Sequence, residues 1–254
     1  MTPIIAEIIG TAILILFGGG VVANVVLTKT KGNSSGWIVI TWGWAMGVFV
    51  AVFTVGQFSG AHINPAVTIG LAAAGLFDWA QVIPFMLAQI LGGAIGGLLV
   101  WLVYKDHFAA TEDKGLKLGV FSTAPEIRSY PSNFMTEVIA TFILIFGVLY
   151  MTDPGFLSVN GDLMEVIVID GTEVGFGLGA LSALPVALLV LGIGLALGGP
   201  TGYAINPARD LGPRIAHALL PIPGKGSSDW AYAWIPVVAP LTGALLASGL
   251  YLLL

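Results

Sequence analysis

Two triplets carry the residue types most able to do chemistry, Asn64-Pro65-Ala66 and Asn206-Pro207-Ala208. Asparagine is a strong helix N-cap, and proline suits the first helical turn. Each triplet therefore reads as the start of a helix whose positive dipole end lies at the asparagine. The asparagine also keeps its side-chain NH2 free to donate to a passing oxygen. Arg209 follows the second triplet directly and adds a full charge. Such groups hold neutral polar solutes and oppose cations. Nothing in the chain resembles a nucleophile–base pair, a metal-ligand cluster or a nucleotide loop. No enzyme activity, cofactor or metal is expected, and the absence of a basic tail or stripe gives no sign of a nucleic-acid partner.

Glu7 and Glu137 sit inside apolar stretches, where an ionisable group is a functional candidate by default. One reading is a proton-coupling pair. The other is structural, with each carboxylate accepting backbone N–H groups from the segment before its triplet. Their matching places in the chain favour the second. His62 is one of three histidines and has no ligand cluster around it, so it reads as a wall or hydrogen-bonding residue. Gly92, Gly93, Gly96 and Gly97 read as close helix packing.

The elements that must position these residues are apolar. The chain has 254 residues, 57% hydrophobic and 9% charged, with net charge −5 and no cysteine. So few charges cannot cover a soluble fold, which carries about 25%. A spanning helix needs about 20 apolar residues, and six fit, at 4–27, 37–57, 81–104, 132–151, 179–197 and 231–253. The first has no basic region ahead of it and is not a cleavable signal. Two shorter stretches, 64–75 and 206–219, begin at the triplets and are too short to cross. Long connections fall at 105–131 and 152–178. The second is acidic, with Asp153, Asp162, Glu165, Asp170 and Glu173, and its apolar β-branched run Met164 to Ile169 fits no membrane element.

The chain repeats itself. Ala6-Glu7-Ile8-Ile9-Gly10-Thr11 matches Thr136-Glu137-Val138-Ile139-Ala140-Thr141, and Ala61-His62-Ile63-Asn64-Pro65-Ala66 matches Tyr203-Ala204-Ile205-Asn206-Pro207-Ala208. Each half, about 1–120 and 121–254, holds three spanning helices. Three is odd, so the halves enter the membrane from opposite sides. Inverted repeats place their site near the midplane between the halves. The expected fold is an all-α membrane protein, a single transmembrane domain over 1–254 with six spanning helices and two re-entrant half-helices. The half-helices then meet N-terminus to N-terminus. Non-helical backbone at that depth must line a cavity or lie in protein. If extended, Gly60, Ala61, His62 and Ile63, with Gly202, Tyr203, Ala204 and Ile205, present a ladder of carbonyl acceptors to a pore.

With these residues in view the chain resembles the aquaporin family, in its glycerol facilitator branch. The resemblance rests on Ser59 to Thr68 and Gly199 to Arg214 and runs over nearly the whole chain. It implies a homotetramer with one pore per subunit and a selectivity filter of Trp44, Gly194, Tyr203 and Arg209. Trp44 otherwise reads as part of an interfacial belt with Trp37 and Trp42. Arg209 otherwise reads as an ion-pair partner of Asp210. Asp210 itself resembles the facilitator branch. Glu7 and Glu137 become supports of the turns. Trp44 and Tyr203 would bear the carbon edge of a polyol, while Gly194 opens the wall that water-selective members fill with histidine. Two positions depart from the branch: Tyr203, where phenylalanine is usual and where a hydroxyl narrows or polarises the filter, and Pro236-Val237, where Pro-Leu is usual.

The expected activity is passive flow of glycerol and similar uncharged solutes, with some water. Rival readings are a water-dominant channel, a facilitator of urea, hydrogen peroxide or protonated short acids, and a proton-coupled transporter. A bacterial plasma membrane is the expected location. Lys29, Lys31, Lys105, Lys114, Lys117, Arg128 and Lys225 fall on one side. The positive-inside rule puts that side in the cytoplasm, whereas the family resemblance puts it outside, with both termini cytoplasmic. The resemblance predicts that a cysteine placed in 105–131 is labelled in intact cells. Labelling only after lysis would reverse the orientation.

Overall fold

The computed structural model describes residues 1–152, 155–157, 160, 163–164, 166–175 and 177–254. Two long apolar helices open the chain, α1 (Pro3–Val26) and α2 (Trp37–Ser59), followed by the short α3 (Pro65–Ala73). Next come α4 (Trp79–Ala110), the small α5 (Lys114–Gly119) and α6 (Tyr130–Leu149). A 3-10 turn, Gly179–Ala183, leads into α7 (Leu184–Leu197), then the short α8 (Pro207–Leu219) and α9 (Ile235–Tyr251). Among the described residues, five segments are long and apolar enough to cross a membrane, and Ile235–Tyr251 is apolar but shorter.

Local chemistry sets the helix starts. Asp78 caps α4 by accepting from the Ala80 N–H at 2.9 Å, and Asp113 caps α5 through the Leu116 N–H at 3.0 Å. The helix expected over 81–104 bends at Tyr104, whose φ and ψ are −109° and 17°, and continues to Ala110. The sixth helix is shorter than expected over 231–253, because the chain turns through Trp230 to Trp234 before it. The described residues of the run at 164–169 fall in two antiparallel pairs, Met164 in one and Val166–Ile169 in the other. Strands β1 (Phe156–Leu157) and β2 (Leu163–Met164) pair first, then β3 (Val166–Ile169) and β4 (Thr172–Gly175). Asp170 and Gly171 both have positive φ, 49° and 78°, as a two-residue type I′ turn requires. Asp153, Asp162 and Glu165 of the acidic connection lie outside the described residues.

The two halves pack alike. α1 lies on α4 and α2, and α6 lies on α9 and α7. Each short helix crosses to the other half, with α3 against α9 and α8 against α4. The glycines of α4 allow this on two sides. A Cβ at Gly92 would stand 2.4 Å from the Ile8 carbonyl of α1, and one at Gly93 2.6 Å from the Ala208 carbonyl of α8. The outer side of α4 bears Ile83, Leu87, Leu91, Leu98 and Leu102, all exposed. A helix with glycine towards protein and leucine outward suits a lipid environment, where close backbone approach replaces hydrophobic exclusion.

Gly92→Ala is expected to lower the melting temperature in detergent, since overpacking of about 1–3 kcal/mol outweighs the gain in helix propensity of about 1 kcal/mol. Gly249→Ala, where nothing lies within 4 Å of the added carbon, is expected to leave it unchanged or raise it.

Candidate functional site

The two triplets meet. Each asparagine caps its own helix: Asn64 Oδ1 accepts from the Ala66 N–H at 2.8 Å, and Asn206 Oδ1 from the Ala208 and Arg209 N–H groups at 3.0 and 3.1 Å. The amide nitrogens reach across. Asn64 Nδ2 donates to the Ile205 carbonyl at 2.9 Å, and Asn206 Nδ2 donates to the Ile63 carbonyl at 2.8 Å. This reciprocal pair holds the two half-helices N-terminus to N-terminus. It also corrects the expectation of a wholly free NH2. One N–H of each amide is committed to the other half, so one remains. Both asparagines line the cavity described below.

The segments before the triplets are not simply extended, as the ladder had assumed. Gly60 and Gly202 are left-handed, with φ of 77° and 82°. So are Ala61, Ile63, Tyr203 and Ile205, with φ between 38° and 50°. Non-glycine residues in this region cost on the order of 1–3 kcal/mol each and persist only where surrounding structure holds them. The two buried glutamates hold them. Glu7 accepts from the His62 N–H at 3.0 Å, the Ile63 N–H at 2.7 Å and the Ser59 hydroxyl at 2.6 Å. Glu137 accepts from the Ala204 and Ile205 N–H groups, both at 2.9 Å, and the Thr201 hydroxyl at 2.7 Å. The partners occupy matching positions in the two halves. With the N–H groups turned to the glutamates, the carbonyls turn the other way. Among the described residues, the carbonyls of Gly60, Ala61 and His62 and of Gly202, Tyr203 and Ala204 accept no protein hydrogen bond. These unpartnered carbonyls follow from left-handed residues in each segment and not from extension. The Ile63 and Ile205 carbonyls are already used by the asparagines.

A cavity of about 370 Å³ runs beside this backbone, faced by Val48, Val52, Val67, Leu144 and Val190. A second cavity of about 380 Å³ lies beyond it, bounded by the connection around Ser122 to Glu126. Trp44, Tyr203 and Arg209 line both. These three side chains therefore stand at the junction. The Arg209 guanidinium carbon is 4.1 Å from the centre of the Trp44 ring, a cation–π distance. Its side chain donates to no protein acceptor among the described residues. Tyr203 packs edge-on to Trp37 at 5.7 Å between ring centres. Gly194 lines neither cavity. A Cβ there would be 2.9 Å from Tyr203 Cζ, so the space it leaves is filled by the tyrosine ring. Among the described residues the buried Tyr203 hydroxyl has no hydrogen-bond partner, so it does not polarise the passage.

Asp210 does not pair with Arg209. Its carboxylate receives Arg214 Nε at 2.7 Å and Nη2 at 3.0 Å, with the Thr123 N–H at 2.7 Å and hydroxyl at 2.9 Å. Arg214 spends its remaining donors on the Ser228, Asp229 and Thr123 carbonyls. All five are satisfied, and the pair ties the connection at Thr123 to α8. Sequence reasoning assigned no part to Arg214, although an acid and a base four apart on a helix were a signal. It also missed Ser59 and Thr201, which the repeat could have shown. Thr123 and Gln89 gave no signal. Gln89 Nε2 donates to Glu7 at 2.7 Å and to Thr68 at 2.9 Å. His62 Nδ1 lies 3.1 Å from the same threonine hydroxyl, and its ring packs on Phe77 and Phe85.

Known proteins match this arrangement over the whole chain. The family profile described as Major intrinsic protein matches residues 1–251. The chain is 50% identical over 251 residues to the probable glycerol uptake facilitator protein of Thermotoga maritima, covering 99% of this chain and 98% of that one. It is 51% identical over 247 residues to the glycerol uptake facilitator protein of Streptococcus pneumoniae strain R6, covering 97% of each. Among solved structures, the aquaglyceroporin from Plasmodium falciparum is similar with a TM-score of 0.78 and 30% identity, covering 98% of this chain and 93% of that one. The chain belongs to the major intrinsic protein family.

Proposed function

We propose that this chain is a passive channel for glycerol and similar small uncharged solutes, with accompanying water flow, in a bacterial plasma membrane. The observation that carries the reading is the junction of the two cavities. There a guanidinium with unspent donors stands beside two aromatic side chains, Trp44 and Tyr203. A polyol has a hydroxyl edge and a carbon edge. Its hydroxyl oxygens accept from Arg209 and its hydroxyl protons go to carbonyls such as Gly202 and Tyr203, while its carbon edge meets the aromatic rings. The names of the relatives support the same solute.

Trp44, Tyr203 and Arg209 form the selectivity filter in this reading, with Gly194 contributing by seating Tyr203. Asn64 and Asn206 each offer one remaining N–H to the solute midway. Two half-helix N-termini and Arg209 together place positive potential along the path, which excludes cations and protons. Glu7, Glu137 and Asp210 are structural supports. The carboxylates of Glu7 and Glu137 are occupied by backbone and side-chain donors, which speaks against proton coupling. A homotetramer with one pore per subunit completes the proposal.

Stopped-flow light scattering on proteoliposomes tests it. An inward glycerol gradient should give fast shrinkage followed by fast re-swelling, with no accumulation under a pH gradient. Shrinkage without glycerol entry refutes the assignment. Arg209→Ala should loosen the ranking among glycerol, urea and water. Tyr203→Phe should leave that ranking unchanged, because the lost hydroxyl is buried and unpartnered. Glu137→Ala should abolish folded channel in detergent, since it strands two backbone N–H groups at about 1–3 kcal/mol each beside a strained segment. Glu137→Gln, which keeps one acceptor oxygen, should fall between.

A further inference from the structure

The Trp44 ring needs a place to lie. Its side chain leaves α2 where α1 passes closely, and the meeting point on α1 is Gly18. A Cβ built on Gly18 would stand 2.2 Å from both Cε3 and Cζ3 of Trp44 and 2.4 Å from Cδ2. The 2.2 Å approach is the shortest at any glycine of the described residues. The six-membered ring of the tryptophan thus rests on bare α1 backbone. The neighbouring glycines differ. A Cβ on Gly19 would first meet the Val120 carbonyl at 3.1 Å, and one on Gly20 would meet nothing within 4 Å. Three consecutive glycines cost a helix about 1 kcal/mol each relative to alanine, and of the three only Gly18 abuts the filter.

Tyr203 is seated in the same manner. A Cβ at Gly198 would be 2.5 Å from its Cδ1, and one at Gly194 2.9 Å from its Cζ. Both aromatic sides of the junction are therefore backed by glycine, from α1 on one side and from α7 and the residue after it on the other. Backing residues set how far each ring stands into the passage. Trp44 lines both cavities and is touched on its lumen side by Arg209. Gly18 lines neither cavity.

We propose that Gly18 is a positioning residue for solute selection: it holds the Trp44 ring back from the passage, and so sets the width that admits a three-carbon polyol. The inference rests on the reading of Trp44, Tyr203 and Arg209 as the filter. A methyl at position 18 must displace the ring by on the order of 1 Å to restore ordinary carbon–carbon contact. The ring moves away from α1, towards Arg209 and the lumen. Water, with a single heavy atom, tolerates that narrowing. Glycerol does not.

The experiment compares native protein, Gly18→Ala, Gly20→Ala and the double variant Gly18→Ala with Trp44→Phe in proteoliposomes, reading water and glycerol permeability on each sample. Gly18→Ala should lower glycerol permeability on the order of tenfold, the rate equivalent of the strain of one overpacked methyl, while water permeability stays within about twofold of native on the same scale. Gly20→Ala should behave as native. The double variant, whose smaller ring clears the methyl, should recover glycerol flux. A native glycerol-to-water ratio in Gly18→Ala overturns the inference. So does a loss of both permeabilities that Trp44→Phe fails to restore, since that marks a general packing defect. Native protein that conducts no glycerol would instead refute the channel assignment itself.

Discussion

Backbone that leaves a helix inside hydrocarbon has no water to bond, so every N–H and C=O it exposes must find a partner within the protein or face a wet cavity. The rest of this structure follows from that demand. The segments before Asn64 and Asn206 leave α2 and α7 and must reach mid-membrane without helical bonds. Glu7 and Glu137 take the N–H groups of His62, Ile63, Ala204 and Ile205, and the carbonyls of Gly60 to His62 and of Gly202 to Ala204 are left without a protein partner among the described residues. A carboxylate here is a substitute for the missing turn of helix. Its own burial is tolerable because each oxygen receives donors. In the proposed channel the conducting surface and the scaffold are two sides of one strand of backbone, and neither can be altered without the other.

Two arginines five residues apart on α8 show how burial is put to different uses. Arg214 is fully buried and spends all five donors on Asp210 and three carbonyls. Arg209 is nearly as buried yet donates to no protein acceptor among the described residues and leans on the face of Trp44. Saturation makes the first a rivet. Unspent donors make the second available to whatever enters. The same carboxylate, Asp210, decides this division: by accepting Arg214 and Thr123 it is withdrawn from Arg209.

Much of this was legible in the residues. Apolar stretches of spanning length located the long helices, Asn-Pro marked the starts of the short ones, and the repeat made the opposed half-helices a consequence of counting. The glutamates could be assigned to backbone support because both halves carry one. What escaped has a common physical cause. The contacts of Arg214 with Thr123 and of Gln89 with Glu7 join residues 91 and 82 positions apart, and neither Thr123 nor Gln89 carries a periodic or motif signal. The hairpin around Asp170-Gly171 is different, because a two-residue turn between β-branched runs is a local signal and was there to be read. The handedness of Ala61 and Tyr203 was hidden because alanine and tyrosine rarely adopt it; tertiary bonds impose it.

The crossed asparagine bonds also bear on how the chain is made. Asn64 reaches a carbonyl 141 positions away, and Asn206 one 143 positions away. Neither bond can close until the second half has entered the membrane. Until then the first half carries a polar turn at bilayer depth with its cross-partner absent, anchored by Glu7, Ser59 and Thr68. Local helices form early and long-range closures late. Assembly thus ends where conduction begins: the midpoint of the path is the last joint to be made, and a chain arrested at its first half has helices but no route through them.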